Sequence, residues 1–238
     1  MVQAWILVDI YNFVDLAIPN DVVGTVFDLI ESVADPSVSF VQLRLYGGWQ
    51  DAGLLTSHGS RLAADLSNLR FPMRHPQGSA LLRGKWELVH GPLALPGREY
   101  PTTVRTRQGI KRLTFASGAP PAMCASKAAC SVVALRKFAK RHNATCPTIS
   151  CSVSNADAFQ HREQKMVDTL IAADIQHLQR AHAGSRIVVV SDDSDLLPVL
   201  DVAADSGANL TLISRQSITP LGMSELFAHT TWKGPARA

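Results

Sequence analysis

A chain of 238 residues, 46% of them hydrophobic, has enough apolar content to bury a sizeable core, and its length fits one large domain or one domain carrying an insertion. The apolar run Val2–Asp9 behind Met1 is too short for a secretory signal and has no basic leader, and no stretch reaches the ~20 apolar residues of a membrane span. The expectation is a soluble, cytoplasmic protein with no membrane partner.

The net charge of +3 conceals a lopsided distribution: residues 61–145 hold 15 Lys+Arg against Asp65, Glu87 and Glu99, a net of +12, and the rest of the chain carries −9. A basic middle in an acidic body points to a polyanionic partner, because clustered cations displace counterions from phosphates. A solvated basic loop is the plainer alternative.

In chain order, Ala4 to Val8 is a run of β-formers ending at Asp9, which predicts a buried strand followed by a loop. Pro19-Asn20-Asp21 offers a cap for a helix whose apolar stripe is Val22, Val23, Val26, Phe27, Ile30 and Val33, stopped by Asp35-Pro36. Ser39 to Tyr46 reads as a second strand, closed by Gly47-Gly48. Trp49 to about Asn155 is irregular, rich in proline, glycine and positive charge, and is expected to be an insertion. Within it Leu54–Leu69 suits a helix, Lys85–Val89 and Lys111–Phe115 suit short strands, and Ser131–His142 suits a basic helix with Val132, Val133, Leu135 and Phe138 inward.

All four cysteines, Cys124, Cys130, Cys146 and Cys151, fall in this region, with five residues between the first two and four between the last two. In a cytosolic chain disulfides are disfavoured, so a structural Zn²⁺ and buried free thiols are the two readings; the spacing is looser than the two-residue knuckle of a specific zinc signature.

Regularity returns after Gln160. Glu163–Ala181 suits a long helix with Met166, Val167, Leu170, Ile171, Ile175 and Leu178 as its buried stripe, ending near Gly184. Ile187–Val190 suits a buried strand, Leu196–Ala204 a helix ended by Gly207, and Leu210–Ile213 another strand. Strands alternating with helices predict a parallel α/β sheet, built from residues 1–48 and 156–238 around the inserted 49–155.

Two of these strands end in acids, Asp9 after the first and Asp192, Asp193 and Asp195 after Ile187–Val190, and Asp168 lies in the first turns of the long helix. In an open parallel sheet the carboxyl ends of the strands border the ligand crevice, so the acids can converge there. Crowded carboxylates repel by about 1 kcal/mol per pair at ~4 Å in water and several times more when partly buried. A hard cation such as Mg²⁺ or Mn²⁺ offsets that repulsion and can activate water against a phosphodiester. Taken singly each acid has a structural explanation: Asp9 as a loop cap, Asp168 as a partner of Lys165, Asp192 or Asp193 as a helix cap.

Three segments together resemble the NYN subgroup of PIN-like nucleases. Asp9-Ile10-Tyr11-Asn12 is similar to the family's opening D-x-x-N, Lys165-Met166-Val167-Asp168 with Asp174 to its K-G-V-D helix, and Ser191-Asp192-Asp193-Ser194-Asp195-Leu196 to its S-G-D-x-D-F. Ser224-Glu225-Leu226-Phe227-Ala228 is similar to the closing segment of such domains. The resemblance covers residues 1–46 and about 160–230. It implies a Rossmann-like PIN sheet and metal-dependent phosphodiester hydrolysis, RNA being the commoner substrate and DNA the other. Asp192 and Met166 stand where the family has glycine, and the long insertion has no counterpart.

On this reading Asp9, Asp168, Asp193 and Asp195 hold Mg²⁺ or Mn²⁺ and Asn12 orients the first carboxylate or a phosphate. Asp174, Asp192 and Lys165 are supporting residues; Asp174 lies about 120° round the helix from Asp168 and does not share its metal. Arg105, Arg107, Lys111, Arg112, Lys137, Lys140 and Arg141 are expected to hold the nucleic-acid backbone. Trp86 and Phe115 are read as core residues in the first place and as base-stacking residues in the second. The alternative function is a PIN-like nucleic-acid-binding module or subunit that does not cleave. A phosphotransfer domain ranks third, since neither Asp9 nor Asp193 has the neighbours of a phospho-acceptor.

Overall fold

The computed structural model of the chain describes residues 2–13, 22–107, 114–115, 159–215 and 227–232. The chain divides into two compact units, one made of Met1–Thr103 with Lys165–Ala238 and the other of Val104–Gln164.

The larger unit is an α/β structure on a seven-stranded sheet. Its strands are β1 (Val2–Asp9), β2 (Val38–Tyr46), β5 (Met73–Arg74), β6 (Leu81–Leu88), β10 (Arg186–Val190), β11 (Asn209–Ser214) and β12 (Ala228–Thr231), in the order β12-β11-β10-β1-β2-β6-β5. Every neighbouring pair is parallel except the short edge pair β5–β6. The helices are α1 (Ile10–Phe13), α2 (Val22–Val33), α3 (Ser57–Leu66), α4 (Val167–Ala181) and α5 (Leu197–Asp205), with a single 3₁₀ turn, Ser194–Leu196, leading into α5. A small antiparallel pair, β3 (Gln50–Asp51) with β4 (Leu54–Leu55), precedes α3.

Helices cover both faces, and β1 displays the consequence of its two-residue period. Ala4, Ile6 and Val8 pack with Val26, Leu29 and Ile30 of α2 and Leu62 and Leu66 of α3, while Trp5 and Leu7 pack with Ile171, Ile175 and Leu178 of α4 and Leu200 of α5. Each such fully buried aliphatic side chain contributes roughly 1.5–3 kcal/mol.

Gly47 is needed at the end of β2 for steric reasons. A Cβ there would stand 2.5 Å from Cζ2 of Trp49, a fully buried indole whose Nε1 donates to the Leu45 carbonyl at 2.7 Å. Gly47→Ala is expected to destabilise the fold by about 1–3 kcal/mol through overpacking, read as a lowered urea midpoint at unchanged slope.

Several sequence expectations change. The strand expected at Lys85–Val89 is β6, which pairs in parallel with β2 from Phe40↔Arg83 to Leu45↔Leu88, so the sheet takes in chain well beyond the expected boundary at residue 48. The helix expected from Glu163 begins only at Val167. Phe159–Gln164 is instead β9, paired antiparallel with β7 (Val104–Arg107), and Met166 adopts left-handed backbone at φ 66°. That conformation costs roughly 1–2 kcal/mol for a residue with a Cβ and cannot continue a right-handed helix. Met166, expected in the buried stripe of that helix, is therefore a non-glycine residue in a glycine-type turn, half-buried against the α4 side of the core.

The expected helix over Leu54–Leu69 is the shorter α3, whose Thr56 cap accepts from the Gly59 amide at 3.2 Å. The smaller unit contributes β7, β8 (Thr114–Phe115) and β9 in the antiparallel order β7-β9-β8. The helix expected at Ser131–His142 lies outside the described residues.

Candidate functional site

From β1 the chain moves to β2 and β6 on one side, and β10, β11 and β12 lie on the other, so the topological switch point falls between β1 and β10. A crevice at the carboxyl ends of the strands is expected there. The register Val8↔Val190 puts Asp9 and Ser191 side by side at that point.

Asp9 is fully buried. Its Oδ2 accepts from Nδ2 of Asn12 at 2.7 Å and from Oγ of Ser191 at 3.5 Å, while its Oδ1 is buried with no hydrogen-bond partner among the described residues. Burial pushes the Asp9 carboxyl up to about 6; hydrogen bonding from Asn12 opposes this, and the negative charges of Asp168 and Asp193 add to it.

After β10 the chain turns through Ser191, whose Oγ accepts from the Asp193 amide at 3.1 Å, and Asp193 in turn accepts the Asp195 amide at 2.9 Å as the cap of the 3₁₀ turn. Asp168 sits in the first turn of α4, where burial and then the charges of Asp193 and Asp195 raise its carboxyl above the usual range. The four acids thus act on one another electrostatically although they lie on three separate segments.

This donor set suits a hard divalent cation, and the orphaned Asp9 Oδ1 is the observation that favours one: a buried carboxylate oxygen without a donor carries an unrelieved desolvation cost. Among the described residues no three His, Cys, Asp or Glu side chains form a ready-made cage. Mg²⁺ is commonly held by only one or two carboxylates, with water and substrate phosphate completing its shell.

The supporting residues are placed differently from one another. Asp192, expected to add negative charge beside the acids, accepts from the Arg215 amide at 2.6 Å and from Arg215 Nε at 2.8 Å, so its charge is matched by a guanidinium. Lys165 lies before the start of α4, and its amide donates to the Thr103 carbonyl at 2.8 Å. Asp174 is fully buried in a hydrogen-bond network of its own. It accepts from Arg44 Nε at 2.9 Å, from the Leu93 amide at 2.7 Å and from the Tyr46 hydroxyl, and Arg44 also donates to Glu87 and to the Gly91 carbonyl. Burial, then the Asp174 charge, holds the Tyr46 phenol well above its ordinary range, so it stays a neutral donor. A cleft of about 250 Å³ opens beside this network, lined by Arg44, Lys85, Glu87, His90, Arg98 and Glu99 among others.

Of the expected backbone-binding residues, Arg105 is exposed on β7 and Arg107 ends that strand, both in the smaller unit; Lys111, Arg112, Lys137, Lys140 and Arg141 lie outside the described residues. Cys124, Cys130, Cys146 and Cys151 also lie outside them. Trp86 is half-buried and packs against the core beneath α2 and α3. No helix among the described residues is long and apolar enough to cross a membrane.

Ser191 and Arg44 are the residues that sequence reasoning passed over. Ser191 was visible only as the first letter of an acidic motif. Arg44 had a signal: in a parallel strand covered on both faces, an arginine between Leu43 and Leu45 must be buried and so requires a carboxylate. Comparison with known protein families, with curated proteins and with solved structures gives no match to this chain.

Proposed function

We propose that the chain is a metal-dependent nuclease, an endoribonuclease of the PIN-like NYN type, with Asp9, Asp168, Asp193 and Asp195 as its metal-holding carboxylates. The observation that carries this reading is Asp9. It is a buried carboxyl at the switch point, raised to about 6, with one oxygen orphaned and with Asp168 and Asp193 acting on it. A fold does not retain such a group for stability, because an apolar or amide side chain of that size would cost less. Strained acid clusters of this kind mark functional sites. Support also comes from the three motifs, and from the charges of Asp168 and Asp193 acting on Asp9 and those of Asp193 and Asp195 acting on Asp168.

Asn12 fixes Oδ2 of Asp9 and leaves Oδ1 available as a ligand atom. Ser191 links Asp9 to the turn that carries Asp193. Asp193 and Asp195 are mounted on a tight 3₁₀ turn, and Asp168 on a helix start, so the acids are held by rigid elements. A Mg²⁺ or Mn²⁺ ion bound here would neutralise the carboxylates, polarise a phosphodiester and lower the pKa of an attacking water. RNA is the expected substrate on the resemblance; the basic residues of the 61–145 region are suited to phosphate contacts.

Purified protein is expected to cut RNA in Mn²⁺ or Mg²⁺, and to lose that activity in EDTA. Matched RNA and DNA substrates assign the preference. RNA binding that survives EDTA, with no cleavage in any metal, would favour the non-cleaving module instead.

A further inference from the structure

Between the metal-side residues Asp9 and Asn12 stands an aromatic ring that the proposed chemistry does not use. Tyr11 lies in the one-turn helix α1, two residues beyond Asp9, and is 38% exposed. Its ring stacks on Trp49, with centroids 5.8 Å apart and planes at 25°. Trp49 is fully buried and anchored to the Leu45 carbonyl, so it is a fixed backing. At its outer end the Tyr11 hydroxyl lies 3.3 Å from Nδ1 of His58, an exposed residue in the first turn of α3 whose ring is 6.2 Å from that of Tyr11. Leu54 and Leu55, 74% and 46% exposed on β4, lie just ahead of α3 in the chain.

The ring is thus held from behind by an indole and at its tip by an imidazole, with part of its surface left to solvent. A tyrosine serving only to cover Trp49 would gain nothing from this exposure. A preorganised aromatic plane one short turn from a phosphodiester site suits one ligand chemistry well, the π-face of a nucleobase next to the phosphate held at the acids. A base within a duplex is already sandwiched by its neighbours and does not present that face, whereas an unpaired base does.

We infer that Tyr11, backed by Trp49 and steadied by His58, is a stacking platform for an unpaired nucleobase adjacent to the bound phosphate, which makes the substrate a single-stranded segment. This inference rests on the nuclease reading of the acid site. Stacking of this kind is sequence-tolerant, so it selects for strandedness and not for base identity.

The test is equilibrium binding of a labelled single-stranded RNA oligonucleotide and its matched duplex in EDTA, read by fluorescence anisotropy, with wild type, Tyr11→Ala, Tyr11→Phe and Tyr11→Trp. Tyr11→Ala is expected to weaken single-strand binding by about tenfold or more, with duplex binding unchanged, and the two aromatic variants are expected to retain it. Scanning a single abasic position along the oligonucleotide should find one that weakens the wild type and leaves Tyr11→Ala unaffected; this readout in the wild type stands even where the alanine variant folds poorly. Equal single-strand affinity of wild type and a folded Tyr11→Ala, no sensitive abasic position, or no RNA binding by the wild type would each overturn the platform. Because the assay needs no cleavage, a protein that shows the Tyr11 effect and never cuts refutes the nuclease reading alone. One that cuts through Asp193 with no Tyr11 effect refutes the platform alone.

Discussion

Asp9→Asn is expected to make the metal-free protein more stable at neutral pH, by about 2–3 kcal/mol, while abolishing cleavage. Asp9 has its carboxyl raised from 3.8 to about 6, so the folded state holds its proton more tightly than the unfolded chain does. The folded state's advantage is therefore complete below pH 3.8 and is lost as pH rises through about 6; above that the buried anion is a net cost. Asparagine removes the charge and can still accept from Asn12. Urea unfolding across this range should show the wild type losing stability, relative to Asp9→Asn, between pH 4 and pH 7 or so, with the two nearly equal at the acid end. Excess Mn²⁺ should stabilise the wild type more than the variant, since a ligand that binds only the folded state adds to its stability. A variant less stable than the wild type at neutral pH would mean that the carboxylate is a structural element.

The opposite behaviour is expected of Asp174, buried on α4. Asp174→Ala removes the acceptor of Arg44, Tyr46 and the Leu93 amide and leaves a buried guanidinium with part of its partner set gone. Breaking a buried ion pair from one side costs about 3–5 kcal/mol, a large share of the ~5–15 kcal/mol that holds a domain together. Arg44→Ala is expected to cost a similar amount, and Arg44→Lys to recover only part of it, because a lysine cannot reproduce the guanidinium fork that reaches Asp174, Glu87 and Gly91 together. The cost of the double variant should fall well short of the sum of the single ones, since each single change already disables the same network. Additive losses in urea midpoints would refute the coupling. The same helix thus carries one exposed acid, Asp168, and another, Asp174, that ties it to β2.

These contrasts separate what sequence pattern conveys from what it does not. The β-branched run before Asp9 and the run Ile187–Val190 announce buried strands because a two-faced parallel strand must be apolar throughout, and their acid ends mark the crevice by topology alone. The stripe of α2 is legible at Val22, Val26, Ile30 and Val33, where tertiary packing and helical period agree, whereas Phe27, expected inward, is 38% exposed and Leu29 is buried instead. Glu163–Gln164 misled for the converse reason: their pairing is settled by hydrogen bonds to Val104 and Arg105, far away in sequence, and the left-handed turn at Met166 leaves no mark in a pattern of apolar spacing. Asp174 and Asp168 are the same residue type on the same helix, and only three-dimensional packing distinguishes the anchor from the crevice acid. Asp192 appeared to crowd the site because Arg215, which neutralises it, comes from beyond β11. The pairing of Tyr11 with Trp49 is also invisible to pattern, since the two lie on either side of α2 and β2.

The proposed divalent-ion site of Asp9, Asp168, Asp193 and Asp195 is tested most directly by incubating wild type and Asp193→Asn side by side with single-stranded RNA across a Mn²⁺ titration. Cleavage that rises with Mn²⁺ in the wild type, disappears in EDTA and is absent from a folded Asp193→Asn is the result expected; undiminished cutting by Asp193→Asn would contradict the assignment.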